Sequence, residues 1–127
     1  MKKSFFFGKD CLKNLENIFT DYKWIKILLI VGKNSFHSSG AKQKLDKFLS
    51  DKKTKILFKN QNYPDLSDLK NIISEINSFR PDVIITLGGG STIDLGKVSN
   101  FLYSENNLIE QIKISKFGNN NKFCKLI

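Results

Sequence analysis

Apolar positions along this chain follow two rhythms that alternate. Short apolar runs fall at Ile25–Val31 (interrupted only by Lys26) and at Val83–Leu87, and Lys55–Phe58 reads as a further strand. Runs of four to eight stiff or bulky residues suit strands buried on both faces. Between the runs the spacing becomes helical. Leu12, Leu15 and Phe19 share one face, then Leu45, Phe48 and Leu49, then Leu66, Leu69, Ile72, Ile73 and Ile76, and last Leu95, Val98 and Leu102. Polar residues punctuate the pattern. Asp10, Ser38 or Ser39, and Asp65 stand where helices open, and Arg80-Pro81 stands where one must close. Gly32-Lys33-Asn34-Ser35 reads as a turn, Tyr63-Pro64-Asp65 as a loop, and Ser4–Phe7 as a short leading strand.

The three central runs recur roughly 30 residues apart, the length of a strand–helix–strand unit whose crossover makes the sheet parallel. The pattern predicts an α/β fold: a Rossmann-like open parallel sheet with helices on both faces, as one domain over residues 1–127. Beyond Tyr103 the signal weakens. Leu108–Ile114 fits a helix through Ile109 and Ile112 and a strand through Ile112 and Ile114, so both stay open. Gly118–Asn121 is a loop, and Phe123–Ile127 begins another buried strand.

One junction in this pattern carries chemistry. The strand ending at Leu87 runs into Gly88-Gly89-Gly90, and a helix start follows at Ser91, with Asp94 three residues on in capping-box spacing. Backbone N–H groups at a helix start attract anions, and residues lacking a β-carbon let a diphosphate come close. Two common phosphate motifs do not fit. A P-loop needs four residues before its Gly-Lys and then a hydroxyl, whereas Gly90 and Gly96 are too far apart and Val98 follows Lys97. The dinucleotide fingerprint needs a third glycine where Ile93 stands. The competing account is a tight turn in which the glycines only relieve a steric problem.

Charge changes this picture little. The net charge is +9, but Arg80 is the only arginine and the lysines are scattered, whereas base-reading surfaces favour Arg. Nucleic acid is therefore not the expected partner. No apolar run is long enough to span a membrane, and the apolar part of the amino terminus is too short for a signal peptide, so a cytoplasmic protein is expected. Cys11 and Cys124 show no metal or redox spacing and are expected as small buried residues.

Gly88-Gly89-Gly90-Ser91-x-x-Asp94-x-x-Lys97 resembles the glycine-rich signature of the iron-containing alcohol dehydrogenases, a superfamily that also holds glycerol dehydrogenase and dehydroquinate synthase. Phe7-Gly8 is similar to the family's junction between its first strand and helix. The resemblance implies a nicotinamide dinucleotide as ligand. Gly88, Gly89, Gly90 and Ser91 would meet its diphosphate, and Asp94 would lie toward the nicotinamide ribose or act as a helix-capping carboxylate. Lys97 is expected to pair with Asp94. The second cofactor loop would be Gly32, Lys33 and Ser35. NAD-using members often carry Asp where Lys33 aligns, and a cation beside a hydroxyl suits a 2′-phosphate, so the expected cofactor is NADP ahead of NAD. A solvated loop lysine is the plainer alternative.

The resemblance also implies a divalent metal, iron or zinc, held by an Asp and three His in full-length relatives. This chain has one histidine, His37, so it would not bind that metal and offers no catalytic residue. The chain would correspond to roughly the first third of a family member, a truncated cofactor-binding domain without the helical metal-binding one. It would be inactive alone, with a homodimer mate or a complementing C-terminal segment as partner and an apolar face where that segment docks. A nucleotide-binding module without chemistry and a non-binding structural remnant are the other accounts.

Overall fold

The computed structural model describes residues 6–59, 65–103 and 125–126. Its centre is β1 (Lys26–Gly32), whose residues Ile27 to Val31 are all buried. A strand hidden on both faces needs a neighbour on each edge. The strand β2 (Lys53–Lys59) pairs with it in parallel on one side, from Lys26 opposite Lys53 to Gly32 opposite Lys59. On the other side β3 (Val83–Leu87) pairs in parallel, from Ile27 opposite Val83 to Val31 opposite Leu87. A short β4 (Lys125–Leu126) continues parallel beyond β3, giving the order β2-β1-β3-β4.

Strand side chains alternate between the two faces, and each face has its own helices. Ile27, Leu29, Val31, Val83 and Ile85 pack with Leu15 of α1 (Asn14–Asp21), Phe36 of α2 (Lys33–Ser38), and Leu45 and Leu49 of α3 (Ala41–Leu49). Trp24 closes that layer, stacked on Tyr22 at 4.8 Å and edge-on to Phe19 at 5.6 Å. Leu28, Ile30 and Ile84 pack with Leu69, Ile72 and Ile76 of α4 (Leu66–Phe79) and with Leu95 and Leu102 of α5 (Gly90–Leu102). The expected sheet with helices on both faces is the one observed. Each fully buried Leu or Ile contributes about 1.5–3 kcal/mol, so these two layers supply most of what holds the domain. Asp65 caps α4 as expected, its carboxylate accepting from the Asp68 N–H at 2.7 Å, and Arg80 ends that helix in the left-handed region at φ 50°.

Several local expectations are corrected. Gly32 to Ser35 is not a turn: Gly32 closes β1 and Lys33 already starts α2. Ser38 and Ser39 therefore end a helix, and the next one opens at Gly40, whose φ of 69° makes the break. Phe6 and Phe7 lie in no strand, while Ser4 and Phe5 fall outside the described residues. Asp10 precedes a single 3-10 turn (Cys11–Lys13) without capping it, because its carboxylate pairs with Lys44 at 3.3 Å. Cys11 is exposed, not buried. Val98 is 42% exposed, and Ser99 takes the buried place beside it. Leu66 is likewise exposed. Leu108–Ile114, Gly118–Asn121 and Cys124 lie outside the described residues. Among the described residues no helix is long and apolar enough to cross a membrane.

The topology sets where a ligand can enter. After β1 the chain turns to the face of α2 and α3, and after the adjacent β3 it turns to the opposite face with α5. Two neighbouring parallel strands whose connections diverge leave a crevice at their carboxyl ends, the place where open α/β sheets take ligands.

Candidate functional site

The crevice has two walls, the turn after β3 and the start of α2 after β1. At the first, Gly88 is required by the fold itself. A β-carbon there would stand 2.7 Å from Thr92 Oγ1 and 2.9 Å from Thr92 Cβ, and Thr92 is buried. Gly89 and Gly90 are different. A β-carbon on either would meet nothing within 4 Å. Gly89 is the N-cap of α5, at φ −76° and ψ 179°, a conformation any residue adopts. Among the described residues nothing packs where a side chain at either position would stand.

The amides at this helix start divide the same way. Thr92 and Ile93 N–H groups both donate to the Gly89 carbonyl, at 3.0 and 3.2 Å. The Gly89, Gly90 and Ser91 N–H groups donate to no acceptor among the described residues. They are three of the unpaired donors that every helix start carries, and no side chain covers them. The capping box expected from Ser91 and Asp94 does not form. The helix starts earlier, at Gly89, and the Asp94 carboxylate pairs with Lys97 Nζ at 3.5 Å, both exposed. The Asp94–Lys97 pair is the one the spacing predicted.

At the second wall, Gly32 is the residue that brings the two loops together. A β-carbon on it would lie 3.4 Å from Thr92 Oγ1, 3.6 Å from Ser35 Oγ and 3.9 Å from Gly88 Cα. Gly32 and Gly88 thus face each other directly beyond the last ladder pair, Val31 and Leu87. Lys33 is exposed at the first position of α2, and Ser35 is half-buried one turn in. Thr92 was not among the candidates, yet it sits between Gly32 and Gly88 and fixes their spacing. Its signal was the helical series Thr92, Leu95, Ser99, Leu102, all buried.

Next to Lys33 lies a cavity of about 360 Å³ lined by Lys33, His37, Phe58 and Lys59. The His37 ring lies parallel to Phe58, 6.0 Å between centroids and 9° between planes, and Phe36 meets Phe58 edge-on. His37 is thus an exposed stacking residue. Among the described residues no three His, Cys, Asp or Glu side chains lie together in a way that could hold a metal. The described residues do not fit an iron.

The match to known proteins fits this geometry. The family model for iron-containing alcohol dehydrogenases matches residues 2–127. The chain belongs to that family. Its similarity to the bifunctional aldehyde-alcohol dehydrogenase of Escherichia coli K12 is 32% identity over 106 residues, 81% of this chain and 12% of that protein. Its fold superposes on the NADH-dependent butanol dehydrogenase A of Thermotoga maritima with a TM-score of 0.81 at 17% identity, over 95% of this chain and 31% of that one. It also superposes on a sulfoacetaldehyde reductase of Bifidobacterium kashiwanohense in complex with NAD+, with a TM-score of 0.67 at 19% identity, over 82% of this chain and 27% of that one. This member of the family thus spans about an eighth of the curated relative and under a third of these solved structures.

Proposed function

We propose that the crevice between β1 and β3 binds a nicotinamide dinucleotide, and that this domain is the cofactor-binding part of an alcohol dehydrogenase. The observation that supports it most is the pairing of unused donors with unneeded glycines. Among the described residues the amides of Gly89, Gly90 and Ser91 have no acceptor, and a side chain on either Gly89 or Gly90 would meet nothing. A purely structural turn would require Gly88 alone. The diphosphate sits on those amides, where the N-terminal end of α5 adds its own favourable field. Gly32, bare and adjacent to Gly88, lets the adenosine half pass across the end of β1 toward Lys33 and Ser35.

Lys33 favours NADP over NAD, because an ammonium attracts a 2′-phosphate and offers nothing that accepts from a ribose hydroxyl. Asp94, one turn into α5, is placed to accept from the nicotinamide ribose by exchanging its exposed partner Lys97. When bound, the nicotinamide supplies or takes the hydride that interconverts an alcohol and a carbonyl compound. The residues described here bind and orient the cofactor.

Calorimetric titration with NADP and NAD in parallel tests the reading. NADP binding tighter than NAD, with a matching rise in melting temperature, is the expected result. Absence of heat and of any thermal shift with both would overturn it and leave the glycine turn structural.

A further inference from the structure

We infer that the cavity between the start of α1 and α3 is a second ligand site, and that it takes a small organic anion with an apolar body. The cavity measures about 450 Å³ and shares no residue with the glycine crevice, so the inference does not rest on the dinucleotide reading.

Its shape comes from two helical segments. Lys13 and Glu16, three residues apart, form one wall, and Lys44 and Lys47, spaced alike on α3, form the other. Leu12 and Phe48 also line it, both half-buried and both packed on the core layer beneath. The base is therefore apolar and the walls are charged. Asp10 stands at the cavity too, in the left-handed region at φ 60°, and its ion pair with Lys44 at 3.3 Å joins the two segments.

Charge selects the ligand. Three ammonium groups and two carboxylates line the cavity. Asp10 occupies Lys44, whereas Lys13, Lys47 and Glu16 form no ion pair among the described residues. Two uncommitted ammonium groups are thus set against one uncommitted carboxylate, on a chain whose net charge is +9. That balance attracts an anion and repels a cation. A metal ion is disfavoured further, since among the described residues no three His, Cys, Asp or Glu side chains gather to hold one. Volume and base then argue against a bare inorganic anion. The cavity lies in the range of small-molecule pockets, and Leu12 and Phe48 would gain nothing from a phosphate. A carboxylate or sulfonate carried on a ring meets both demands, its charge between Lys13 and Lys47 and its body on Phe48. Glu16 is the one group that opposes it.

The test is titration of the isotope-labelled full chain with 2-naphthoate, followed by amide chemical shifts, with the neutral 2-naphthamide in parallel. Naphthoate is expected to move the Lys13, Lys47 and Phe48 amides, to leave Gly88 to Ser91 in place, and to bind about tenfold tighter than naphthamide. Lys13→Glu and Lys47→Glu should each weaken it about tenfold, and Glu16→Gln should tighten it about threefold. All three positions are exposed, so the variants keep the fold. Lys70→Glu, at an exposed position of α4 in the opposite layer, makes the same change in net charge and should leave affinity within about twofold. Equal affinity for naphthoate and naphthamide would reduce the site to an apolar patch and overturn the inference. So would an equal loss in Lys70→Glu, which would leave only the diffuse field of a basic chain, or the absence of shifts around the cavity at millimolar ligand.

Discussion

The two ends of the central strands treat their polar groups in opposite ways. At the amino end a cluster of hydrogen bonds ties the strands together. The Asp82 carboxylate accepts from the Ile25 and Lys26 N–H groups at 2.9 and 2.8 Å, and the Asp82 N–H returns a bond to the Lys26 carbonyl at 2.9 Å. Lys53 N–H donates to the Ile25 carbonyl at 2.8 Å, and Lys26 Nζ reaches the Phe79 carbonyl at 3.4 Å, over the Phe79 ring. At the carboxyl end, five residues of β3 later, the amides of Gly89, Gly90 and Ser91 have no such partner among the described residues. The lesson is that hydrogen bonds that close the fold gather at one end of these strands, and the proposed binding site lies at the other. One end consumes its hydrogen-bonding capacity to close the fold, and the other keeps it open.

Breaking the packing at the open end should have the largest effect. Gly88→Val drives a branched side chain into Thr92, which is buried, β-branched and stiff on its helix. A loss of about 3 kcal/mol is expected, read as a lower urea midpoint. A neutral result would mean that the carboxyl end is not packed tightly even beneath its open surface. Asp82→Ala probes the closed end. The side chain is mostly exposed, so the expected loss is about 1 kcal/mol, with cofactor affinity unchanged at neutral pH. Two amides, Lys26's first and Ile25's second, hold this carboxyl below the usual carboxylate range. The unfolded chain titrates near the ordinary value of about 3.9. The stabilisation is therefore complete above that pH and is lost as the pH falls through the lower folded value. The gap between wild type and Asp82→Ala in urea unfolding should close on acidification; a gap constant from pH 7 to pH 2 would remove Asp82 from the account of the closed end.

What the sequence revealed of this contrast depends on how local each feature is. β1 was plain because burial on both faces leaves an unbroken apolar run from Ile27 to Val31. β2 is an edge strand with exposed Ile56 and Phe58, and its ends at Lys53 and Lys59 are set by pairing with β1, so only its middle could be read. The start of α4 was legible because Asp65 does what N-caps do. The start of α5 misled because Ser91 and Asp94 have capping-box spacing, yet the chain enters the helix at Gly89 and Asp94 turns to Lys97. The six-residue α2 was read as a turn, having no side-chain cap and too few residues to show a period. Thr92 has no local signal of its contact because it packs against Gly32 and Gly88 in other segments, and such tertiary contacts are not written in any one stretch of sequence.

Gly89→Ala sharpens the comparison by separating binding from stability at one residue. The added methyl meets nothing among the described residues. Alanine restricts the unfolded chain, which stabilises, but is a poorer N-cap than glycine, which destabilises; the two effects oppose and should leave stability within about 0.5 kcal/mol. The methyl does stand where a diphosphate must approach, so dinucleotide affinity should fall at least about tenfold at an unchanged melting temperature. If affinity held, Gly89 would be as dispensable to the ligand as it is to the fold, and the open amides would not be the cradle.

The smallest effect is expected at Asp94→Asn. Its partner Lys97 is exposed and 3.5 Å away, and such pairs contribute little, so stability should move by less than about 0.5 kcal/mol. Asparagine keeps the shape and one acceptor oxygen but not the charge. If Asp94 accepts from a ribose hydroxyl, affinity for both dinucleotides should fall about threefold, equally for NAD and NADP because the nicotinamide ribose is common to them. An unchanged affinity would make Asp94 a surface partner of Lys97 and nothing more, and the open end would then reach no further into α5 than the amide of Ser91.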